Sequence, residues 1–249
     1  MGTSVPTAQP ADWTAGHVGD RIRTTRAGGV LDVVLDHGPV NALDLEAYRE
    51  LAQCFVEVGR DPGLEVVTLT GAGRHFCAGQ DRADTGRLTA DPAGYLGQAG
   101  QAVEAVLTCP LPVVCGVAGA AVGTGLILAT SADVLIVADD GILSLPEARF
   151  GVVAGYAHLA QQAGPGLARF AVLTGRPIPA RLLEPAGVQV VDRAGIGSAV
   201  AAAVSEILMA PAGIARQVKA GWLTDRRRLA GEYLAELERT LAADAIGFV

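Results

Sequence analysis

Two glycine-containing loops each follow an apolar run that is typical of a buried strand. The first loop, "GAGRHFCAGQDRAD" (residues 71–84), follows "EVVTLT", and the second, "AVGTG" (residues 121–125), follows "LPVVCGVAG" closely. Loops at the same edge of a parallel sheet can each direct one backbone N–H group at one oxygen atom, and two convergent donors form an oxyanion hole. The alternative is that the glycines only permit tight packing of the chain.

The spacing of these glycines does not fit a nucleotide-binding loop. Counted from Gly71 and Gly73, the pattern G-x-G-x-x-G requires a third small residue where the chain has Phe76. The glycines of the second loop do not fit the pattern either, and the sequence contains no G-K-[ST] motif. Nucleotide-dependent redox chemistry and P-loop phosphoryl transfer are therefore disfavoured.

One carboxylate stands in a context that suits proton transfer. Glu147 follows an apolar stretch and Pro146 in "ILSLPEARFG". Partial burial there would raise its pKa toward the range in which a general base or acid works. The alternative is a surface glutamate at the start of a loop. Tyr156 and His158, in "GYAHLAQQ", are further pocket candidates, although a lone histidine is more often structural.

The elements that must position these residues alternate between strand and helix up to about residue 150. Beyond Gly155 the pattern becomes almost entirely helical. Such alternation predicts an α/β fold with parallel strands joined by right-handed crossovers. We expect a polar tail over residues 1–20, a core that carries the site over residues 21–195, and a C-terminal helical segment over residues 196–249.

Composition indicates a globular chain and excludes several classes of protein. Half of the 249 residues are hydrophobic and 18% are charged. The net charge of −7 argues against a general affinity for nucleic acid. The four cysteines form no CxxC motif, and no Cys or His cluster has the spacing of a metal site. Without an apolar signal region or an uninterrupted membrane-spanning run, a cytoplasmic protein with no membrane attachment is expected.

Several segments resemble the motifs of the enoyl-CoA hydratase/isomerase, or crotonase, superfamily. Two of them are "GAGRHFCAGQD" and "PVVCGVAGAAVGTGLILATSADVLIVADDGILSLPEARFGVV", and "VLDHGPVNALD" and "AVLTGRPIPA" fall in the right order around them. The resemblance runs from about Gly29 to the end of the chain. It implies an α/β fold built as a crotonase-like spiral of ββα turns with a C-terminal helical segment. It also implies an acyl thioester of coenzyme A as the substrate, with no separate cofactor and no metal.

The resemblance assigns roles to residues in both glycine loops. The oxyanion-hole donors are the backbone N–H groups of Ala78 and Thr124. The family usually has glycine at the second position, and a β-branched threonine keeps the N–H group but resists a positive φ. Gly79 and Gly123 are expected to contact the substrate. Asp81 is expected near the adenine or pantetheine part of coenzyme A.

Family hydratases use two glutamates to position and activate water, and here only the second is present. The first position is occupied by Ile127 and the second by Glu147. One carboxylate is enough to move a proton from one carbon to another. Family members that shift a 3-enoyl double bond to the 2-position typically keep only the glutamate that matches Glu147. The resemblance therefore favours isomerisation through an enolate, with Ile127 bordering the substrate.

Two other functions remain open at this point. The same oxyanion hole could stabilise an enolate formed by hydrolysis of a carbon–carbon bond or by decarboxylation. Tyr156 and His158 are the candidates to activate a water or a ketone in that case. Alternatively, a crotonase-like protein could bind acyl-CoA without catalysis, and the unusual residues Thr124 and Ile127 favour that reading.

The resemblance also implies partners. Family members are usually homotrimers, often paired into hexamers. The last helix carries an apolar stripe that needs a partner surface, either the core of the same chain or an adjacent subunit. The members of this stripe are Leu229, Tyr233, Leu237 and Leu241. Because Lys219 is the single lysine, arginines must hold the coenzyme A phosphates, and the candidates are Arg23, Arg26 and Arg82.

Overall fold

The computed structural model of the chain describes residues 19–243 and residue 246, so most of the predicted N-terminal tail lies outside the described residues. Within the described part, six strands form one sheet in the order β1-β2-β3-β4-β6-β8, and β5 pairs with β7 in a second, small sheet. The strands are β1 (Ile22–Ala27), β2 (Val30–Leu35), β3 (Val66–Gly71), β4 (Val113–Val117), β5 (Ala120–Val122), β6 (Val134–Ala138), β7 (Ile142–Ser144) and β8 (Gln189–Val191).

Helices fill the connections between the strands and make up the C-terminal part of the described chain. They are α1 (Leu45–Val58), α2 (Thr85–Ala90), α3 (Pro92–Leu107), α4 (Thr124–Thr130), α5 (Tyr156–Ala163), α6 (Pro165–Thr174), α7 (Ile196–Ile207), α8 (Ile214–Ala220) and α9 (Leu223–Ala243). Short 3-10 helices lie at Arg82–Asp84, Glu147–Phe150, Ala180–Ala186 and Arg193–Gly195. No helix among these is both long and apolar enough to cross a bilayer.

The predicted parallel arrangement is confirmed for β2, β3, β4, β6 and β8, whereas β1 and β2 form an antiparallel hairpin. Gly28, with a φ of 59°, makes the turn of that hairpin. The sequence pattern did not reveal β1 because its one apolar inward residue, Ile22, alternates with arginines and threonines. Parallel strands end at a common edge, and this edge carries both glycine loops.

The strands are apolar on both sides because both faces of the sheet are covered. In β4, Val113, Cys115 and Val117 belong to the main core that α1 and α3 also enter. Val114, between them, belongs to a second core that includes residues of α7. Alternate side chains of β4 therefore point to opposite faces of the sheet, and helices pack on both faces.

The apolar stripe of α9 packs mainly on the same chain. Leu229, Tyr233 and Leu237 are buried, whereas Leu241 is exposed. Gly100 of α3 permits the close approach, because a Cβ at that position would lie 2.7 Å from Leu234 and 3.3 Å from Leu237. The C-terminal helix therefore docks on α3 beside the edge that carries the glycine loops.

Asp133 joins the sheet to the C-terminal helices. Its carboxylate accepts hydrogen bonds from Lys219 Nζ at 2.6 Å, from Trp222 Nε1 at 3.1 Å and from the backbone N–H of Val113 at 2.8 Å. Arg226 completes the group at 3.4 Å. The single lysine of the chain is fully buried in this network, so it is not available to a phosphate group.

Candidate active site

A cavity of about 280 Å³ lies where the two glycine loops meet α1, α3 and α9. The first loop contributes residues 78–80, and the second contributes residues 122–124. The 3-10 helix that begins at Glu147 closes another side. Leu96, Ala99 and Leu237 give the cavity an apolar wall. The sequence elements that were predicted to carry chemistry thus border one concave site, which is where a small-molecule ligand is expected.

Backbone hydrogen bonds hold the two glycine loops side by side. The N–H group of Cys77 donates to Ala120 O at 2.9 Å, and that of Val122 donates to Cys77 O at 3.0 Å. Gly79 has a φ of 85°, and a Cβ there would lie 2.6 Å from Val122 O. Only glycine therefore fits at position 79, both for its conformation and for the close approach of the second loop.

Thr124 opens helix α4 with ordinary helical geometry, because the preceding Gly123, at a φ of 58°, takes the positive φ. The expected conflict between a β-branched residue and the loop conformation is thereby avoided. In the described part of the chain, the N–H group of Thr124 donates no hydrogen bond. That of Ala78 donates to Val40 O at 3.0 Å. One of the two predicted donors is therefore free, and the other has an internal acceptor.

Asn41, at the start of the chain segment that leads to α1, holds the first loop in place. Its side-chain Nδ2 donates to Ala72 O at 2.9 Å and to His75 O at 2.8 Å. It is fully buried and has a φ of 50°, a conformation that asparagine tolerates better than most residues. The sequence offers Asn41 or Asp44 as the N-cap of α1, and in the structure Asp44 is the cap, since its side chain accepts from the N–H group of Ala47 at 2.7 Å.

Glu147 places a largely buried carboxyl group at the cavity. The residue as a whole is half-buried, but its Oε2 atom is buried and has no hydrogen-bond partner among the described residues. Oε1 lies against Gly123, where an added Cβ would overlap it. Burial raises the pKa of this carboxyl from 4.5 to about 8. Among the described residues that line the cavity, Glu147 is the one carboxylate.

Four of the residues expected at the substrate do not border this cavity. Ile127 is buried in the main core, and Tyr156 is 38% exposed at the start of α5. Asp81 instead accepts from the N–H group of Ala83 and so caps the 3-10 helix that follows. His158 is fully buried, and neither of its ring nitrogens has a hydrogen-bond partner in the part of the chain that the structure describes. The remaining five, namely Ala78, Gly79, Gly123, Thr124 and Glu147, all line it.

His158 packs behind the cavity lining instead of entering it. Its ring meets that of Tyr233 edge to face, with centroids 5.2 Å apart. Burial lowers the pKa of His158 to about 3, so the ring stays neutral at ordinary pH. Its role is consistent with the structural reading of a lone buried histidine.

Three tyrosines that sequence reasoning did not place at the site line the cavity. Tyr48 comes from α1, Tyr95 from α3 and Tyr233 from α9. Tyr48 and Tyr95 meet edge to face, with ring centroids 5.9 Å apart. Tyr48 Oη donates to Thr124 Oγ1 at 3.4 Å. Burial raises the pKa of Tyr48 and of Tyr233, so both phenols remain protonated.

The arginines proposed for phosphate binding differ in their surroundings. Arg23 pairs with Asp36 at 3.1 Å, and Arg26 pairs with Asp61 at 2.8 Å. Arg82 borders the cavity, with its guanidinium 5.9 Å from the centroid of the Phe150 ring. Arg82 is therefore the candidate that the fold brings to the site.

Two of the curated relatives that this chain matches have nearly equal sequence identity to it. The chain is 34% identical over 168 residues to "(7aS)-7a-methyl-1,5-dioxo-2,3,5,6,7,7a-hexahydro-1H-indene-carboxyl-CoA hydrolase" of Rhodococcus jostii; the match covers 66% of this chain and 64% of that protein. It is 32% identical over 164 residues to carnitinyl-CoA dehydratase of Proteus mirabilis, covering 64% of this chain and 63% of that protein. The matched segment thus spans just under two thirds of each relative.

Solved structures share the fold over a larger part of the chain. An enoyl-CoA hydratase/carnithine racemase from Magnetospirillum magneticum matches with a TM-score of 0.75 and 31% identity, covering 81% of this chain and 79% of that one. An enoyl-CoA hydratase/isomerase from Mycobacterium paratuberculosis matches with a TM-score of 0.80 and 27% identity, covering 90% and 92%. The sequence model of the enoyl-CoA hydratase/isomerase family matches residues 25–246. This chain therefore belongs to the enoyl-CoA hydratase/isomerase family.

Proposed function

We propose that the protein acts on an acyl thioester of coenzyme A by proton transfer through Glu147, and that the reaction is the shift of a double bond from the 3- to the 2-position. The observation that carries this proposal is the carboxyl of Glu147, the one carboxyl among the described residues that line the cavity. Its Oε2 atom has no partner among those residues, and its Oε1 atom lies against Gly123 where the two glycine loops meet. A reaction that needs only one carboxylate suits such a site.

The proposed steps use atoms that border the cavity. Ionised Glu147 removes a proton from the carbon next to the thioester carbonyl, and the electron pair moves into the carbonyl to give a dienolate oxygen. The same carboxyl then returns the proton two carbons further along, which moves the double bond and regenerates the carboxylate. The first of the two hydratase glutamates has no counterpart in this scheme, because position 127 is an isoleucine in the core.

The dienolate oxygen needs preorganised donors. The N–H group of Thr124 is free to serve, as described above. The N–H group of Ala78 serves only if it is shared with Val40 O or released from it, since the two atoms lie 3.0 Å apart. We therefore place Thr124 as the principal donor and Ala78 as the donor that the substrate must recruit.

The test is Glu147→Gln, assayed for conversion of 3-enoyl-CoA to 2-enoyl-CoA, with coenzyme A thioester affinity measured by calorimetry. Turnover should fall by roughly 10²–10⁴-fold, while affinity stays nearly unchanged because glutamine keeps the shape. Glu238→Gln, at an exposed position of α9, is the matched control. Undiminished turnover in Glu147→Gln would mean that another residue is the base, and binding without any turnover in the wild type would favour a non-catalytic acyl-CoA-binding protein.

A second candidate is hydrolysis of a carbon–carbon bond in a coenzyme A thioester. It is favoured by the name of the Rhodococcus jostii relative, a hydrolase of a dioxo-indene-carboxyl-CoA. Water would add to a ring ketone, and the electron pair of the broken bond would enter the same thioester enolate. Mass spectrometry separates the two reactions, because hydrolysis adds the mass of one water and isomerisation adds nothing.

We also propose that the protein assembles as a homotrimer or a hexamer, as the family resemblance implies. Exposed apolar side chains on α6 and on the 3-10 helix at Ala180–Ala186 offer contact surface; they are Phe170, Leu173 and Leu182. Sedimentation should show a multiple of three chains. A stable, active monomer at nanomolar concentration would contradict this proposal.

A further inference from the structure

Three hydroxyl groups meet at one end of the cavity. Tyr48 and Tyr233 approach the side chain of Thr124 from α1 and α9, and we call these three residues the hydroxyl cluster. Tyr48 Oη lies 3.4 Å from Thr124 Oγ1, and the Tyr233 phenol is close enough to Thr124, Tyr48 and Glu147 for all three to affect its pKa. The polar side chain of Thr124, at the position where the family usually has glycine, thus lies beside two phenols.

The hydrogen bonds within this end of the cavity leave donor capacity unused. A distance of 3.4 Å is long for an O–H···O bond, whose usual range is about 2.5–3.0 Å. Tyr95, next to Tyr48, is similar, since its hydroxyl lies 3.5 Å from Leu43 O. Gln80 Nε2 is buried and has no partner among the described residues, although Gln80 borders the cavity. Buried donors in this state favour a ligand that supplies acceptors.

The apolar wall and these donors divide the cavity into two kinds of surface. Leu96, Ala99 and Leu237 suit the carbon skeleton of an acyl group. A plain alkyl chain that filled the whole cavity would cover the phenols of Tyr48 and Tyr233 without giving either a partner. An acyl group with an oxygen in the right place would satisfy them.

The charges around the cavity disfavour a cationic acyl group, although tyrosine rings can bind quaternary ammonium ions. Arg82 and Arg149 both border the cavity. The carboxyl of Glu147 is largely protonated near neutral pH, because burial raises its pKa to about 8. The lining is therefore neutral to positive, and a neutral acceptor such as a ketone suits it better than an ammonium group.

We propose that the acyl group of the substrate carries a hydrogen-bond-accepting oxygen beyond the thioester, a ketone or comparable carbonyl, which the hydroxyl cluster binds. This inference rests on the proposed function in one respect, namely that the ligand is a coenzyme A thioester. It concerns the chemical class of the acyl group and holds whether the bond that moves is C–H or C–C.

The test compares the binding of saturated thioesters that share one carbon skeleton. Calorimetry would give dissociation constants for hexanoyl-CoA, 4-oxohexanoyl-CoA and 5-oxohexanoyl-CoA with the wild type, Tyr48→Phe, Tyr233→Phe and the double variant. At least one oxo compound should bind the wild type about tenfold more tightly than hexanoyl-CoA, as expected for one good hydrogen bond. That advantage should fall to within about twofold in the double variant, and hexanoyl-CoA should bind the double variant at least as tightly as the wild type, because the alkyl chain no longer covers two phenols without a partner.

Tyr156→Phe is the matched control, because Tyr156 is an exposed tyrosine away from the cavity and its loss should keep the oxo preference. Equal affinity of all three thioesters for the wild type overturns the inference, as does a preference that survives in the double variant. Tighter binding of 4-(trimethylammonio)butanoyl-CoA than of either oxo compound also overturns it and indicates a cation site. If no thioester binds, hexanoyl-CoA included, the proposed function itself fails.

Discussion

Glu236 Oε2, on α9, lies 2.6 Å from the backbone nitrogen of Gly155, and Glu236 Oε1 lies 2.9 Å from that of Ala157. One buried carboxylate thereby satisfies two N–H groups at the start of α5, which no side chain of its own segment caps. Thr240, one turn further along α9, accepts from the N–H group of Val153 at 2.8 Å. The C-terminal helix thus holds the segment that follows Glu147.

Removing Glu236 should loosen this segment. Glu236→Ala leaves two buried N–H groups without an acceptor, so we expect the free energy of unfolding to fall by about 2–3 kcal/mol, measured by urea denaturation. Turnover should fall as well, because this segment also contacts Glu147: the N–H group of Val152 donates to Glu147 O at 3.1 Å. Glu236→Gln, which keeps one carbonyl oxygen, should recover part of the loss, and Glu238→Ala on the exposed side of α9 should change little. Equal stability of both alanine variants would contradict the argument.

Much of the fold could be predicted from the sequence because its strands are buried on both sides. Runs such as "EVVTLT" and "LPVVCGVAG" have the length and the β-branched content of buried strands, and a glycine loop follows each of them within two residues. Glu147 could be singled out as a candidate because the motifs around it resemble those of the crotonase superfamily, whereas its local context after Pro146 left a surface glutamate as the alternative. Each of these patterns lies within one short segment, so it can be recognised without knowing how distant segments pack together.

The acyl side of the cavity could not be predicted, since it is assembled from distant elements. Tyr48, Tyr95 and Tyr233 each lie on a different helix, and on each helix the tyrosine reads as one member of an apolar stripe. Tyr156 and His158 were predicted to line the pocket because they lie close to Glu147 in sequence, but neither residue borders the cavity. Both residues belong to α5, which begins after Glu147, and the direction of this helix cannot be derived from the local sequence.

Gly123 should be required for activity more than for folding. It has a φ of 58°, and an added Cβ would overlap Glu147 Oε1. Gly123→Ala therefore must displace the carboxyl that we propose as the base, and we expect turnover to fall by at least about 10²-fold. Gly164→Ala is the control for backbone strain alone, because Gly164 has a φ of 82° but, apart from its chain neighbours, no described residue has an atom within 4 Å of the added Cβ. It should reduce stability by about 1–3 kcal/mol and leave turnover near that of the wild type.

Introducing a glutamate at position 127 should not create a hydratase. Ile127 is 1% exposed in the main core, so Ile127→Glu buries a carboxyl without a partner and does not add one to the cavity. We expect a loss of about 3–5 kcal/mol in the free energy of unfolding, against about 1 kcal/mol for the control Ile127→Val. Hydration of 2-enoyl-CoA should remain as slow as in the wild type. Rapid hydration by a folded Ile127→Glu variant would show that position 127 reaches the substrate after all.

The pH dependence of turnover should report the ionisation of Glu147. Its pKa is raised to about 8, and a general base must be ionised, so about one tenth of the free enzyme is active near pH 7. We expect kcat/KM to rise about tenfold per pH unit on the acidic side and to level off above about pH 8. A profile that is flat between about pH 6 and 9 would mean that a group other than Glu147 limits the reaction.

Stability gives an independent check on the same carboxyl, because it needs no substrate. The pKa of Glu147 is higher in the folded chain than the ordinary 4.5, so folding favours the protonated form. Between these two pKa values the unfolded chain has released its proton and the folded chain has not, and the free energy of unfolding therefore falls as the pH rises from about 4.5 to about 8. Glu147→Gln lacks this dependence. As the pH rises from about 5 to about 9, the free energy of unfolding of the variant should increase relative to that of the wild type, as measured by urea denaturation at both pH values. If the difference in free energy of unfolding between the variant and the wild type is the same at both pH values, the carboxyl is exposed to water and its pKa is not raised.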